Sequence, residues 1–261
     1  MRLTHVIASV NDNPDYYLFI PKQISFWKKF NIRFVAIFIV NATEDNINNA
    51  TPELPTELQP YKENIFVWLN HHKHINTSFI GQNIRIYYPS LLSGLADDEM
   101  VMITDMDMLP MNAAYYTEGL ADFQKDDFIY YRHIDGNQIY MCYNAAHPDT
   151  WSKAFGINSV ADIDARIKET YDQTYNAIPG SCGWYTDQLI LYKYLINYPS
   201  LKVLERPLRR LETWNFMRLL TDQRWTEQGI CFVGDFDDCH FHRSFGNNRD
   251  LIEIAEKQLD I

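Results

Sequence analysis

No stretch of 18 apolar residues occurs anywhere in the sequence, so no segment reads as a membrane-crossing helix. Cysteine is sparse and scattered: Cys142, Cys182, Cys231 and Cys239 form no C-x-x-C pair, which signals neither a zinc site nor a disulfide scaffold and leaves reduced, buried thiols as the expectation. Positive charge is outnumbered, with 23 Lys and Arg against 34 Asp and Glu for a net charge of −11, so non-specific binding to nucleic acid or anionic membranes is excluded as a working expectation. Internal repeats and low-complexity tracts are also missing. Residues 1–10 are too short and too strand-like for a secretory leader, and a cytoplasmic location is expected. On that expectation the sequons at Asn41, Asn49 and Asn76 carry no weight.

What is present is an apolar fraction of 46% with 15% aromatics, over 261 residues, enough for a packed core. The expectation is a single α/β domain over 1–261. Residues 3–10 read as a first strand ending in the polar cluster Asn11, Asp12, Asn13, Pro14; 17–30 carry helical spacing; 32–40 are dense in β-branched and aromatic residues. Strand, helix, strand implies a crossover and a parallel pair, with ligands gathered at the C-terminal strand ends. Residues 41–63 read as a surface connection, 65–69 as a third strand, and 79–95 as helix broken before Pro89. His71, His72 and His74 cluster, but neighbours in sequence diverge and no carboxylate accompanies them, which favours a solvated loop. Further on, 113–120, 162–175, 185–196 and 251–259 read as helices, with another starting at His147, Pro148, Asp149. Residues 127–133, 138–143, 201–204 and 230–233 read as strands.

The most informative stretch is 100–110, an apolar run interrupted by Asp105 and Asp107 and closed by Pro110. Read as one extended strand, it turns both carboxylates to one side with alpha carbons roughly 6.5–7 Å apart. Two carboxylates at an apolar rim repel each other unless a cation or donors compensate, and a hard divalent ion is the natural compensator. Composition alone produces such triplets, and two more occur. Asp162 and Asp164 lie on an expected helix, where i and i+2 diverge. Asp235 and Asp237 follow a short strand in an acidic turn that solvation alone can explain, although they lie close to the histidines at 240 and 242.

An apolar strand, D-x-D and a Leu-Pro turn in the middle of an α/β chain resemble a nucleotide-sugar-dependent glycosyltransferase of the GT-A fold. Two later segments carry the same resemblance. Trp184-Tyr185-Thr186-Asp187-Gln188 is similar to the Asp-Gln pair opening a helix in glycogenin-like enzymes and bacterial galactosyltransferases, and Cys239-His240-Phe241-His242 resembles the strand end that returns a histidine to the metal. The resemblance implies a GT-A-like, mostly parallel central sheet flanked by helices. It also implies a nucleotide-sugar-binding half over about 1–110 and an acceptor half over about 111–261. The implied activity is transfer of a hexose from a nucleotide diphosphate sugar, expected to be a UDP-sugar, to a hydroxyl of a glycan, protein or small molecule with Mn or Mg. Asp107 would ligate the metal and Asp105 would reach the metal or the ribose, with His240 as nitrogen ligand and His242 as its substitute. Asp187 and Gln188 would serve the transfer, Asp187 by contacting the sugar or accepting a proton, although an aspartate at a helix start is also favoured by the dipole alone. Arg85 and Arg243 would hold donor sugar or phosphate, and Asn11 and Asp12 the base or ribose. Trp184, Trp151 and Tyr185 offer stacking faces, a role weighed against the core.

The Lys-Pro-Trp ending of glycogenin-type enzymes is missing; Arg243-Ser244-Phe245-Gly246 stands there, with Arg243 as a workable but inequivalent replacement for the lysine. A sugar-1-phosphate nucleotidyltransferase would need a Gly- and Arg-rich loop after the first strand, which Asn11 to Asn13 do not supply. A carbohydrate-binding protein with a structural ion is the non-enzymatic alternative.

Overall fold

The structure, a computed structural model, describes residues 1–43, 54–171, 175, 178, 180–181, 183–204, 206–216, 232–242 and 244–261. β1 (Arg2–Asn11) is buried almost continuously from Val6 to Val10, as a strand covered on both faces must be. Its side chains alternate between two cores: Val6, Ala8 and Val10 face one apolar cluster and Ile7 the other. A short turn of helix, α1 (Pro14–Tyr17), capped by the Asn13 side chain, leads into α2 (Ile20–Lys29), so the helix expected over 17–30 is two pieces. β2 (Arg33–Asn41) pairs in parallel with β1, and β3 (Ile65–Asn70) in parallel with β2. α3 (Thr77–Tyr87), capped by Asn76, packs on β1 and β2 and gives way to a 3-10 turn at Tyr88–Leu91, as Pro89 requires.

The 100–110 stretch departs from the expected single strand. β4 (Glu99–Ile103) stops at Ile103, the chain turns through 104–107, and β5 (Met108–Pro110) leaves the large sheet for a smaller one. The cause is a buried side chain. Gln23 Nε2 donates to the carbonyls of Asp105, Met106 and Met108 at 3.2, 2.8 and 2.9 Å, drawing the turn onto α2, while Gln23 Oε1 accepts from Trp27 Nε1 at 2.9 Å.

α4 (Ala113–Thr117) is shorter than expected, and the segment 127–143 yields β6 (Phe128–Tyr130) and a hairpin, β7 (Ile134–Asp135) with β8 (Gln138–Ile139). β9 (Asn144–Ala146), unread in the sequence, is the antiparallel strand between β4 and β6. Three residues carry too little alternation to be seen. α5 (Pro148–Phe155), α6 (Val160–Thr170), α7 (Thr186–Leu195) and β10 (Leu201–Val203) lie close to the expected positions. β11 (Arg210–Glu212) and β12 (Asp238–His240) were not expected, and α8 (Phe245–Leu259) starts earlier than 251. The strand expected over 230–233 lies partly outside the described residues, and Val233–Asp235 is a 3-10 turn.

Among the described residues the large sheet runs β10-β6-β9-β4-β1-β2-β3, parallel except where β9 meets its two neighbours. The expected fold class is therefore what the chain adopts: a mixed, mostly parallel central sheet flanked by helices. The chain proceeds from β1 to β2 on one side and returns to β4 on the other, so the C-terminal ends of β1 and β4 meet at a switch point. The small sheet, β11-β12-β5, is joined to that point by the turn at 104–107. No helix among the described residues is long and apolar enough to cross a membrane.

A candidate metal and phosphate site at the sheet switch point

Asp105 and Asp107 do not share one strand face. They occupy the turn after β4 and address different partners. Asp105 Oδ1 meets Arg85 Nη1 at 2.5 Å, and Arg85 Nη2 meets Asp187 Oδ2 at 3.3 Å. Arg85, on α3, also donates to the Thr104 carbonyl at 3.0 Å, so one guanidinium ties the D-x-D turn to the start of α7. Arg85 and Asp187 are enclosed, at 7% and 3% exposed, and Asp105 is half-buried. Arg85 is thus a buried arginine and not a surface one.

Burial pushes the Asp187 carboxyl up; Arg85 pulls it down, Asp105 pushes it up again, and the balance is about 6. Its second oxygen accepts from the Gln188 backbone amide at 2.8 Å, and Gln188 itself is half-buried beside it.

Asp107 faces the other way. The antiparallel register of β12 on β5 sets His240 opposite Met108, and the Phe241 amide donates to the Asp107 carbonyl at 2.9 Å. His240 Nε2 then stands 3.6 Å from Asp107 Oδ2. That is too long for a hydrogen bond and close to the spacing of two donors that each lie about 2.0–2.2 Å from one ion. The pair fits a divalent cation on its own geometry. β11 runs parallel to β12 in a register that pairs Arg210 with Asp238 and Glu212 with His240, so two charge pairs ladder one face of the small sheet while Leu211 and Cys239 enter the core. Arg210 holds Asp238 with Nε and Nη2 at 2.9 and 2.5 Å, and the Tyr143 hydroxyl adds a 2.5 Å bond to the same carboxylate.

Glu212 Oε2 lies 3.2 Å from His240 Nδ1 and 2.6 Å from His242 Nε2, and the two imidazoles lean together with ring centroids 3.8 Å apart. Burial lowers the His240 affinity for a proton, but the carboxylates of Asp107 and Glu212 outweigh it and raise its pKa to about 10. Burial likewise pushes Glu212 up, and His240 and His242 more than reverse it, holding the carboxyl below its ordinary range. Glu212, His240 and His242 form a compact group of metal-capable donors among the described residues.

Asn11 closes β1 by donating from Nδ2 to Thr77 and Ser78 hydroxyls at 3.2 and 3.1 Å, and Asp12 lines an open cleft of about 470 Å³ with Phe38, Val40 and Leu54. Arg243 lies outside the described residues, as do Cys182 and Cys231; Cys142 and Cys239 are buried free thiols. Trp151 belongs to the core, whereas Tyr185 is exposed. A second open cleft, about 610 Å³, lies at the C-terminal ends of β6 and β10 and is walled by Tyr130, Tyr131, Arg132 and Arg206.

Two readings of isolated polar clusters change. His72 Nε2 reaches Asp164 Oδ1 at 2.7 Å, so the loop at 71–74 does have a carboxylate, supplied by α6. Asp237 is buried and accepts from the Arg209 amide at 2.7 Å, not solvated as an acidic turn suggests.

Sequence reasoning passed over Gln23 and Glu212. Gln23 had a signal: it lies between Ile20 and Trp27 on the buried stripe of α2, where a polar residue must find partners. Glu212 had none, since β11 is three residues long.

No family model matches the chain, and no curated protein does. Three solved structures to which it is similar are glycosyltransferases. One is a galactosyltransferase, LgtC, in complex with donor and acceptor sugar analogs, 12% identical over 98% of this chain and 95% of that one, with a TM-score of 0.47. The second is the glycosyltransferase GlyE in Streptococcus pneumoniae TIGR4, 12% identical over 100% of this chain and 61% of that one, with a TM-score of 0.46. The third is a glycosyltransferase involved in the glycosylation of the major capsid of PBCV-1, 12% identical over 96% and 99%, with a TM-score of 0.45. At this identity and these scores, the likeness does not extend to function.

Proposed function

We propose that the protein is a metal-dependent glycosyltransferase that moves a hexose from a nucleoside diphosphate sugar, expected to be a UDP-sugar, to a hydroxyl acceptor. The observation that carries this reading is the approach of Asp107 and His240, drawn from chain segments far apart, to 3.6 Å at the edge of a parallel sheet's switch point. One carboxylate and one imidazole suit Mn better than Mg, which prefers oxygen alone. Asp107 and His240 would hold a divalent ion, which would supply charge neutralisation to a diphosphate leaving group.

The remaining roles follow from the chain's own groups. Asp105 is engaged by Arg85 through Oδ1, so its carboxylate orders the arginine, and its side chain stays 24% exposed. Arg85 carries the positive charge beside Asp105 and Asp187, suited to a phosphate or sugar hydroxyl. Asp187, with both oxygens engaged, orients Arg85, and Gln188 on the next position is the more accessible of the two. The cleft beside Asp12 suits a nucleoside, and Asn11 ties the end of β1 next to it to the start of α3.

Thermal melts test the reading directly. Mn with UDP should raise Tm by several degrees over either alone, and a panel of UDP- and GDP-sugars should show slow Mn-dependent hydrolysis with at least one donor. Asp107→Ala should abolish both effects while leaving the far-UV circular dichroism unchanged. No metal-dependent response to any nucleoside diphosphate, or a fully active Asp107→Ala protein, would overturn the proposal.

A further inference from the structure

The register of β11 on β12 sets Glu212 against the side of His240 that faces away from Asp107. A carboxylate accepts only, so the ring nitrogen that faces Glu212, Nδ1 at 3.2 Å, is the one that turns a proton toward it. Nε2 is then the nitrogen left for an ion on the Asp107 side. We infer that Glu212 is a positioning residue for His240, fixing its ring orientation and its Nδ1-protonated tautomer so that Nε2 is presented as a ligand beside Asp107. This inference rests on the reading of Asp107 and His240 as the metal pair.

The physical basis is general. An imidazole offers a metal one nitrogen, and the hydrogen bond made by the other decides which one and where it points. A ring hinged at Cβ and held at one end only turns freely about χ2, which broadens the ligand position. Here the ring is held at Cβ by a strand and at Nδ1 by the 3.2 Å contact with Glu212, whose side chain is 25% exposed, so that contact is only partly shared with solvent. His242 meets the same oxygen at 2.6 Å from a 53% exposed side chain. It braces Glu212 from the solvent side and is not itself a ligand. The competing arrangement, in which Glu212, His240 and His242 together bind the ion, would use the Nδ1 lone pair and leave a protonated Nε2 against Asp107.

The test is Mn(II) titration of the full chain with free Mn measured by electron paramagnetic resonance, no nucleotide present. Glu212→Ala should weaken Mn binding by about 10–100-fold, the usual cost of removing a hydrogen-bond partner of a histidine ligand. Glu212→Gln, whose amide oxygen still accepts from Nδ1, should recover affinity to within about five-fold of the parent, and His242→Ala should stay within about two-fold. Melting temperatures of the three variants are compared first, and Glu212→Gln, the least disruptive, stands if Glu212→Ala does not fold. A Glu212→Gln protein as weak as Glu212→Ala means that charge or direct ligation is at work, and overturns the inference. A His242→Ala protein as weak as Glu212→Ala makes the three residues the ligand set, with the same result. Parent-like affinity in Glu212→Ala alongside a large loss in Asp107→Ala also overturns it, but keeps the metal reading. Loss of Mn binding in no variant, or none in the parent, overturns the metal reading itself.

Discussion

The Arg85 guanidinium and the Asp187 carboxylate, 102 positions apart in the chain, meet at 3.3 Å in an enclosure that also takes in Asp105. One buried cation serves two carboxylates, so neither acid is independent of the other.

Removing Arg85 isolates both acids. Arg85→Met keeps most of the volume and should cost about 3–5 kcal/mol in urea unfolding at pH 8, the usual effect of breaking a buried pair from one side. The loss should shrink at pH 5, because a buried Asp187 without its arginine takes a proton and sheds its charge. Equal losses at both pH values would contradict the clamp.

The pH dependence of Asp187 has a definite sign. Its folded pKa, about 6, lies above the ordinary aspartate value, so the folded state binds the proton more tightly than the unfolded chain. The associated stability is fully present below about pH 4, the unfolded value, and is lost as pH rises through about 6. Asp187→Asn cannot ionise and escapes that loss. The difference in Tm between Asp187→Asn and the parent should therefore move in the variant's favour from pH 4 to pH 7, then level off. A difference that moves the other way refutes the burial-driven shift.

Gln23 should prove more important than its place on α2 suggests. Gln23→Leu leaves three carbonyls and the Trp27 indole without their partner, at a combined cost of about 2–4 kcal/mol. Because those carbonyls belong to the 105–108 turn, the variant should also bind Mn more weakly, measured by the same titration. Loss of stability with unchanged Mn affinity would make Gln23 a core residue only.

The Arg210–Asp238 pair makes a separate prediction about the small sheet. Asp238 is fully buried and bonded by Arg210 and Tyr143, so Asp238→Ala should destabilise by about 3–5 kcal/mol, and Tyr143→Phe by about 1–3 kcal/mol. Guanidinium unfolding monitored by tryptophan fluorescence reads both. A Tyr143→Phe protein at least as damaged as Asp238→Ala would show that the hydroxyl, and not the ion pair, dominates.

Much of the frame was legible because its signals are long. β1, β2 and β3 are continuous apolar runs, and Pro89 marks the end of α3 for a reason that operates locally. Asp105 and Asp107 stood out because carboxylates at an apolar strand end need compensation, and the structure gives each a compensating partner, Arg85 and His240. The geometry of the pair was misread. Alternation along one strand implied a shared face, whereas Gln23, more than 80 positions away in sequence, folds the stretch into a turn. β9, β11 and β12 are three residues each and exist through pairing with distant segments, which no local pattern records. Glu212 inherits that invisibility, since its meaning depends entirely on register.

The small sheet also sets a clock. β5 is made before residue 111, yet its hydrogen-bonding partner is β12, roughly 130 residues later, a stretch that takes about 7–25 s to synthesise at ordinary rates. During that interval a strand edge and the Asp107 side of the site wait unpaired, and every contact that completes them is long-range and slow to form. The large sheet can assemble from its own segments first. The approach of His240 to Asp107 therefore exists only once β12 has been made, and a chain cut between β10 and β12 carries every strand of the large sheet without it.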